Sequence, residues 1–205
     1  MTLAVLFAAS FLYGAIPFSF LIGKWFYGKD IRTLGSRNPG STNLFRVLGP
    51  KAGIPGFILD MTRGLLPVLA ARAVSPNSYV WLGAGLSALL GNIFTPFLGF
   101  KGGKGVTATL GAFIALTPVP ALAAFLVWVA CFVLTRYVSL SSILAAFAFP
   151  FAVWAWGRCV HSSSLGLLGV SIAVCLVIIV RHQANIRRLL SGQEKKLELR
   201  RGVRS

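Results

Sequence analysis

The sequence predicts an all-α integral membrane protein with seven transmembrane segments, the fourth and fifth short, the N-terminus outside and the C-terminus cytoplasmic. Three observations carry this prediction. The 205 residues are 56% hydrophobic and only 12% charged, whereas a soluble domain carries about a quarter charged residues. Lys and Arg number 20 against four acids, which are Asp30, Asp60, Glu194 and Glu198. The bases fall mostly in loops between apolar runs, the pattern of the positive-inside rule and of anionic inner-leaflet lipid rather than of nucleic-acid binding.

Taken in order, Thr2–Gly23 is an apolar run long enough to span, with no basic residue in front and Lys24, Lys29, Arg32, Arg37, Arg46 and Lys51 behind. A secretory signal has its charge in front, so this is a retained helix followed by a cytoplasmic stretch at 24–51. Ala52–Ala73 is the second span. Its Asp60 and Arg63, three residues apart, share a helix face. Charges at that depth are costly and pair inward, either as a structural ion pair or as a group that positions a polar substrate. Tyr79–Phe100 returns as the third span. Gly83, Gly85, Ser87, Ala88 and Gly91 allow close helix packing, and Pro96 predicts a kink or unwound turn.

The apolar run at 106–134 contains Pro118 and Pro120, which break a helix. Read as two short helices that go out and return, it leaves the basic tail after residue 180 on the cytoplasmic side. Each piece is then ~18–24 Å long against a hydrocarbon core of ~30 Å. Runs at 138–157 and 163–180 complete the set, with Arg158, His161 and Ser162–Ser164 in an outer turn. The chain as a whole (1–205) is expected to form a single polytopic membrane domain, with 195–205 a charged cytoplasmic tail, helical or frayed beyond Ser191. Cys131, Cys159 and Cys175 lie in or beside apolar segments without paired spacing, and so imply packing rather than a disulfide framework or a metal site.

Three polar stretches share the expected cytoplasmic face. The first, Gly35–Arg46, combines Gly35 and Gly40 with Ser36, Asn38, Ser41, Thr42 and Asn43, and ends in Arg46. Glycines let successive N–H groups converge on an anion, and Arg46 supplies a fork for phosphate or carboxylate. The second is Gly102-Gly103-Lys104-Gly105, of the same character. The third runs from Arg181 to Arg188, with Arg181, Asn185 and Arg188 on one helical face and His182 beside it. Ser139, Ser141 and Ser142 stand near them at the start of the sixth segment. No carboxylate follows His182 across four residues, where Arg187 stands, which argues against a His–Asp dyad. The set suits two phosphate-bearing groups held at a bilayer surface, with electrostatic stabilisation ahead of strong acid–base chemistry.

These stretches resemble the three motifs of the PlsY family, bacterial membrane glycerol-3-phosphate acyltransferases that use acyl-phosphate. The family pattern G-S-x-N-P-G-[AS]-T-N-x-x-R corresponds to Gly35–Arg46, F-K-G-G-K-G-V to Phe100–Val106, and R-H-x-x-N-I-x-R followed by E-x-K to Arg181–Arg188 with Glu194 and Lys196. The resemblance covers essentially the whole chain. Two positions depart from it: Arg63 stands where the family usually has Lys, and Asn92 where it usually has His.

The resemblance implies transfer of a fatty acyl group from acyl-phosphate to the sn-1 hydroxyl of glycerol 3-phosphate, giving lysophosphatidate and inorganic phosphate without a cofactor or metal. It marks Ser36, Arg46, Lys104, His182 and Asn185 as candidate catalytic residues. Asn38, Gly40, Ser41, Thr42, Asn43, Gly102, Gly103, Gly105, Ser142 and Arg181 are candidate substrate-binding residues. Membrane lipid and the soluble acyl-phosphate-producing enzyme are the candidate partners. Two rivals stay open on the residues alone: an anion or phosphate-ester transporter, and an acyltransferase that takes acyl-CoA or acyl-carrier protein as donor.

Overall fold

A computed structural model describes residues 2–160 and 164–198. The expectations for His161, Ser162, Ser163 and the end of the basic tail lie outside the described residues. Those described form ten α-helices and one 3₁₀ turn, with no strand among them: α1 (Leu3–Ala15), α2 (Phe18–Tyr27), α3 (Ser41–Leu48), α4 (Pro50–Val74), α5 (Ser78–Ile93), the turn Pro96–Leu98, α6 (Val106–Leu116), α7 (Pro118–Thr135), α8 (Val138–Cys159), α9 (Leu165–Arg181) and α10 (Gln183–Leu190). Four helices or helix–turn stretches are long and apolar enough to cross a membrane, and six spans result if the bent pairs α1–α2 and α9–α10 each count as one. The chain forms two compact units, one running to Ala112 and including Glu198, the other Phe113–Leu197.

In the first unit α1 packs on α5 and α4, α2 on α4 and α3, and α3 on α4. Small residues set these approaches. A Cβ on Gly14 of α1 would strike the Ala88 carbonyl of α5, and one on Gly91 of α5 would strike the Phe11 carbonyl of α1. The same reciprocal pattern joins α4 and α6, where Gly64 lies on the Ala108 carbonyl and Gly111 on the Met61 carbonyl. The glycine-rich face expected of the third span is therefore used, as small residues at membrane helix crossings are.

The first span is not one helix. It breaks at Ile16–Pro17, and α2 leaves α1 at 43°. Pro17 has no N–H to donate and its ring obstructs a continued helix. The N–H of Phe18 turns instead to the Ile16 carbonyl at 3.1 Å. The carbonyls of Gly14 and Ala15, thereby left without helical donors, are met by side chains. Arg63 donates to Gly14 O through Nε at 2.7 Å and through Nη2, and the Thr95 hydroxyl donates to Ala15 O at 2.7 Å. Asp60 completes the knot, accepting from Ser19 Oγ at 2.6 Å and pairing with Arg63 Nη1 at 3.3 Å. The carboxylate thus sits at the start of α2 and the guanidinium at the end of α1, the arrangement helix dipoles favour. The Asp60–Arg63 pair is built into this break.

In the second unit α7 packs on α8, and α8 on α9 and α10. The apolar run at 106–134 does split in two at Thr117, but unequally. α6 has 11 residues, whereas α7 has 18 and is long enough to span. Pro118 explains the difference, because it sits at the first position of α7, where a missing N–H costs nothing, rather than inside a helix. The last span also bends, by 58° at His182, so the face expected to carry Arg181, Asn185 and Arg188 does not continue from α9 into α10. The tail after Ser191 is not helical as far as Glu198. It is pinned to the α7–α8 turn, with Leu197 N–H on the Arg136 carbonyl at 2.9 Å.

Candidate active site

The first polar stretch is shaped from within by Asn43, which is 1% exposed. Its Oδ1 accepts the Ser36 N–H at 2.7 Å, and its Nδ2 donates to the carbonyls of Ile31 at 2.7 Å and Leu34 at 3.1 Å. Gly35, at φ +60°, lies where any Cβ would strike Asn43 Oδ1. Asn38 Oδ1 accepts the Gly40 N–H at 3.0 Å, closing the turn that leads into α3. The expectation that N–H groups along the loop converge on an anion does not hold for Ser36, Arg37 and Gly40, whose N–H groups are taken up inside the loop. Those of Ser41 and Thr42 open α3 and have no helical carbonyl to meet. Thr42 and Arg46, four apart on α3, share a face. Arg32 grips Asp30 through Nε and Nη2, at 3.0 and 2.7 Å. That fork holds the Asp30 carboxyl below its ordinary value and commits Arg32 to its neighbour.

The second stretch hangs from the end of α5. Gly102 and Gly103 donate their N–H groups to the carbonyls of Ile93 and Asn92, each at 3.1 Å. These two donors close the α5 terminus instead of pointing at a ligand, which corrects the picture of a free glycine cradle. Gly102 is required by packing, since a Cβ there would strike the Asn92 carbonyl. Asn92 is buried beneath the loop. Beyond Lys104, Gly105 takes φ +88° and its carbonyl accepts the Thr109 N–H at 2.8 Å, so the first turn of α6 opens directly after the lysine. Ile31, Leu44 and Leu98 belong to one core cluster with Phe20, Leu48 and Ala52. That cluster brings the bases of the first and second stretches together.

The third stretch, with the serines of α8, is in the second unit. His182 is 2% exposed, and its Nδ1 lies 2.8 Å from the Ile178 carbonyl. A carbonyl only accepts, so Nδ1 carries a hydrogen at this bond. Asn185 Nδ2 donates to Glu194 Oε1 at 2.6 Å, Ser139 Oγ donates to the same oxygen at 2.6 Å, and Arg188 Nε donates to Oε2 at 2.7 Å. Burial pushes the Glu194 carboxyl up, but the three donors outweigh it and hold the group below its ordinary value. Glu194 is the residue sequence reasoning underused. It stood out only as part of a motif, yet it joins α10 to the start of α8. Ser142 donates to the Val138 carbonyl at 2.8 Å and accepts from the Trp128 indole at 3.2 Å. Among the described residues no group of three or more His, Cys, Asp or Glu side chains could hold a metal ion.

The family model for glycerol-3-phosphate acyltransferase matches residues 4–192. The chain belongs to this family. Curated relatives named glycerol-3-phosphate acyltransferase include that of Geotalea daltonii, 44% identical over 93% of this chain and 95% of the relative, and that of Aquifex aeolicus, 42% identical over 91% and 95%. The fold is similar to crystal structures of PlsY, an integral membrane glycerol 3-phosphate acyltransferase. The glycerol 3-phosphate form matches with a TM-score of 0.88 at 38% identity, and the lysophosphatidic acid form with 0.85 at 37%, each over 96% of both chains. The protein is therefore a multi-pass membrane glycerol-3-phosphate acyltransferase of phospholipid synthesis.

Proposed function

We propose that the acyl donor is acyl-phosphate and that the sn-1 hydroxyl of glycerol 3-phosphate is the acceptor, giving lysophosphatidate and inorganic phosphate in the first acylation of bacterial phospholipid synthesis. The resemblance to the PlsY motifs favours acyl-phosphate among phosphate-bearing donors, and the observation that supports a phosphate-bearing donor is the first loop. Asn43 uses both ends of its amide to hold the loop, and what the loop then presents is the open N-terminus of α3 with Ser41, Thr42 and Arg46. Helix N-termini and arginine forks both suit phosphate.

In this reading Ser36, Asn38, Ser41, Thr42 and Arg46 bind the donor's phosphate, and Gly40 and Asn43 act by shaping their loop. Lys104, with Gly102, Gly103 and Gly105 setting its place at the start of α6, binds glycerol 3-phosphate. The family resemblance adds Asn185, His182, Arg181 and Ser142, all in the second unit, as further candidate substrate-binding or catalytic residues. The acceptor hydroxyl attacks the carbonyl carbon of the mixed anhydride, the tetrahedral intermediate collapses, and phosphate leaves with the bonding electrons. The hydroxyl proton passes to the departing phosphate. Because the anhydride is already activated, no covalent enzyme intermediate is needed. Positioning of two bound reactants is worth up to ~7–11 kcal/mol in ideal cases. The basic loops support a bacterial inner-membrane location, with the N-terminus outside and both the C-terminus and the catalytic residues on the cytoplasmic side. The soluble enzyme that makes acyl-phosphate is then the natural partner.

Arg46→Ala tests the assignment of the first loop. Turnover should fall nearly to zero while the protein stays folded, and near-normal turnover would remove Arg46 from the site.

A further inference from the structure

We infer that Thr95 is a positioning residue for the reaction, its buried hydroxyl setting the second polar loop against the break in the first span. The inference rests on the role given above to that loop. Thr95 is 1% exposed and lies between the end of α5 and the Pro96–Leu98 turn. Its hydroxyl donates to Ala15 O at 2.7 Å, across 80 positions of sequence. That carbonyl is available only because α1 stops before Pro17. A continuous first helix would have given it to Ser19.

The backbone of Thr95 holds the other side. Its carbonyl accepts the N–H of Leu98 at 3.3 Å and of Phe100 at 2.9 Å. Gly99 and Phe100 are consecutive left-handed residues, at φ +62° and +61°. Glycine takes this conformation freely, but for a bulky aromatic residue it is an outlier that persists only where its surroundings enforce it. Phe100 is 67% exposed, so packing of its ring does not enforce it. The bond from its N–H to Thr95 does. The next residues are Lys101, Gly102, Gly103 and Lys104, and the two glycines are tied back to Ile93 and Asn92. Thr95 therefore anchors one side of a short strained turn whose other side carries Lys104. Loosening that anchor changes where Lys104 sits without removing any group that touches substrate.

The test compares Thr95→Val, which keeps the shape and loses the hydroxyl, with Thr95→Ser, which keeps the hydroxyl. Full-length protein in detergent or lipid is assayed for melting temperature, kcat, and KM for each substrate. Thr95→Val should raise KM for glycerol 3-phosphate about 3- to 10-fold, the order one net hydrogen bond supports. Donor KM should stay unchanged and the melting temperature should remain within a few degrees, while Thr95→Ser stays within about twofold of the parent. A folded Thr95→Val with parental kinetics would overturn the inference, as would equal losses in both variants. Thr95→Ala replaces the valine variant if that one does not fold; should neither fold, the hydroxyl is a folding determinant and the inference fails.

Lys104→Ala, measured in parallel, separates this inference from the reading beneath it. If Lys104→Ala leaves KM for glycerol 3-phosphate unchanged, the role of the loop itself is wrong. If Lys104→Ala raises it and Thr95→Val does not, only the Thr95 inference falls. In the double variant the two effects should not multiply, whereas an unrelated loss of packing at Thr95 would multiply with Lys104→Ala.

Discussion

Replacing Asn43 by Ala removes three hydrogen bonds from the first loop at once, and their surroundings differ in a way that sets the size of the effect. Ile31 is fully buried, so its carbonyl loses its Asn43 donor with no water to replace it and keeps only the long bond from the Leu34 N–H at 3.4 Å, a loss of about 1–3 kcal/mol. Ser36 and Leu34 are exposed, so water recovers most of their bonding and each contributes about 0.5–1 kcal/mol. Together these give roughly 2–5 kcal/mol. A loop can avoid such a loss by opening locally while the helices beneath it stay packed. The expected result is a fall of at least tenfold in the initial rate of lysophosphatidate formation with a small change in melting temperature. Asn43→Asp should be no better, because it keeps the acceptor for Ser36 but turns a carboxylate oxygen toward the Ile31 and Leu34 carbonyls. An Asn43→Ala protein within twofold of the parent rate would refute the claim that this amide holds the loop in its working shape.

Two further outcomes follow from packing and charge. Gly64→Ala should lower the melting temperature by several degrees, because its Cβ meets backbone, with Ala112 N at 2.7 Å, and overpacking costs about 1–3 kcal/mol. Gly169→Ala, with nothing within 4 Å, should leave stability unchanged or raise it by up to ~1 kcal/mol; equal losses in both would contradict the reading of the α4–α6 crossing. Glu194 has a folded-state pKa below its ordinary 4.5. Its contribution to stability is present above that value and is lost as the pH falls through the lower folded value. Acidification below about pH 4.5 should therefore destabilise the parent more steeply than Glu194→Gln, and parallel melting curves for the two would contradict the ordering of donors around this carboxylate.

Much of the architecture could be read from residue patterns, for physical reasons that particular elements make plain. Pro118 and Pro96 interrupt apolar runs next to polar residues, and the chain does break at both. The small residues around Ala88 and Gly91 foretold close crossings. Pro17 carried the same kind of signal, but it lies inside an apolar run whose length alone suggested a single helix. The polar loops could be recognised by residue type, yet which of their groups face inward could not. Asn43 looks like a ligand-binding amide until its partners at Ile31, Leu34 and Ser36 are known. Thr95, Ser19 and Glu194 owe their roles to partners far away in sequence, or to a helix break, that no local pattern encodes. The expectation for Asp60 and Arg63 left two readings, and the bond from Arg63 to the Gly14 carbonyl, 49 residues before it, supports the structural one.

The donor is the centre of the account, and turnover by purified protein in lipid tests it most directly. Glycerol 3-phosphate is supplied with acyl-phosphate, acyl-CoA or acyl-carrier protein in separate reactions, following lysophosphatidate and released phosphate together. The account predicts product and phosphate in equal amounts from acyl-phosphate alone. Product from acyl-CoA or acyl-carrier protein, with none from acyl-phosphate, would contradict it.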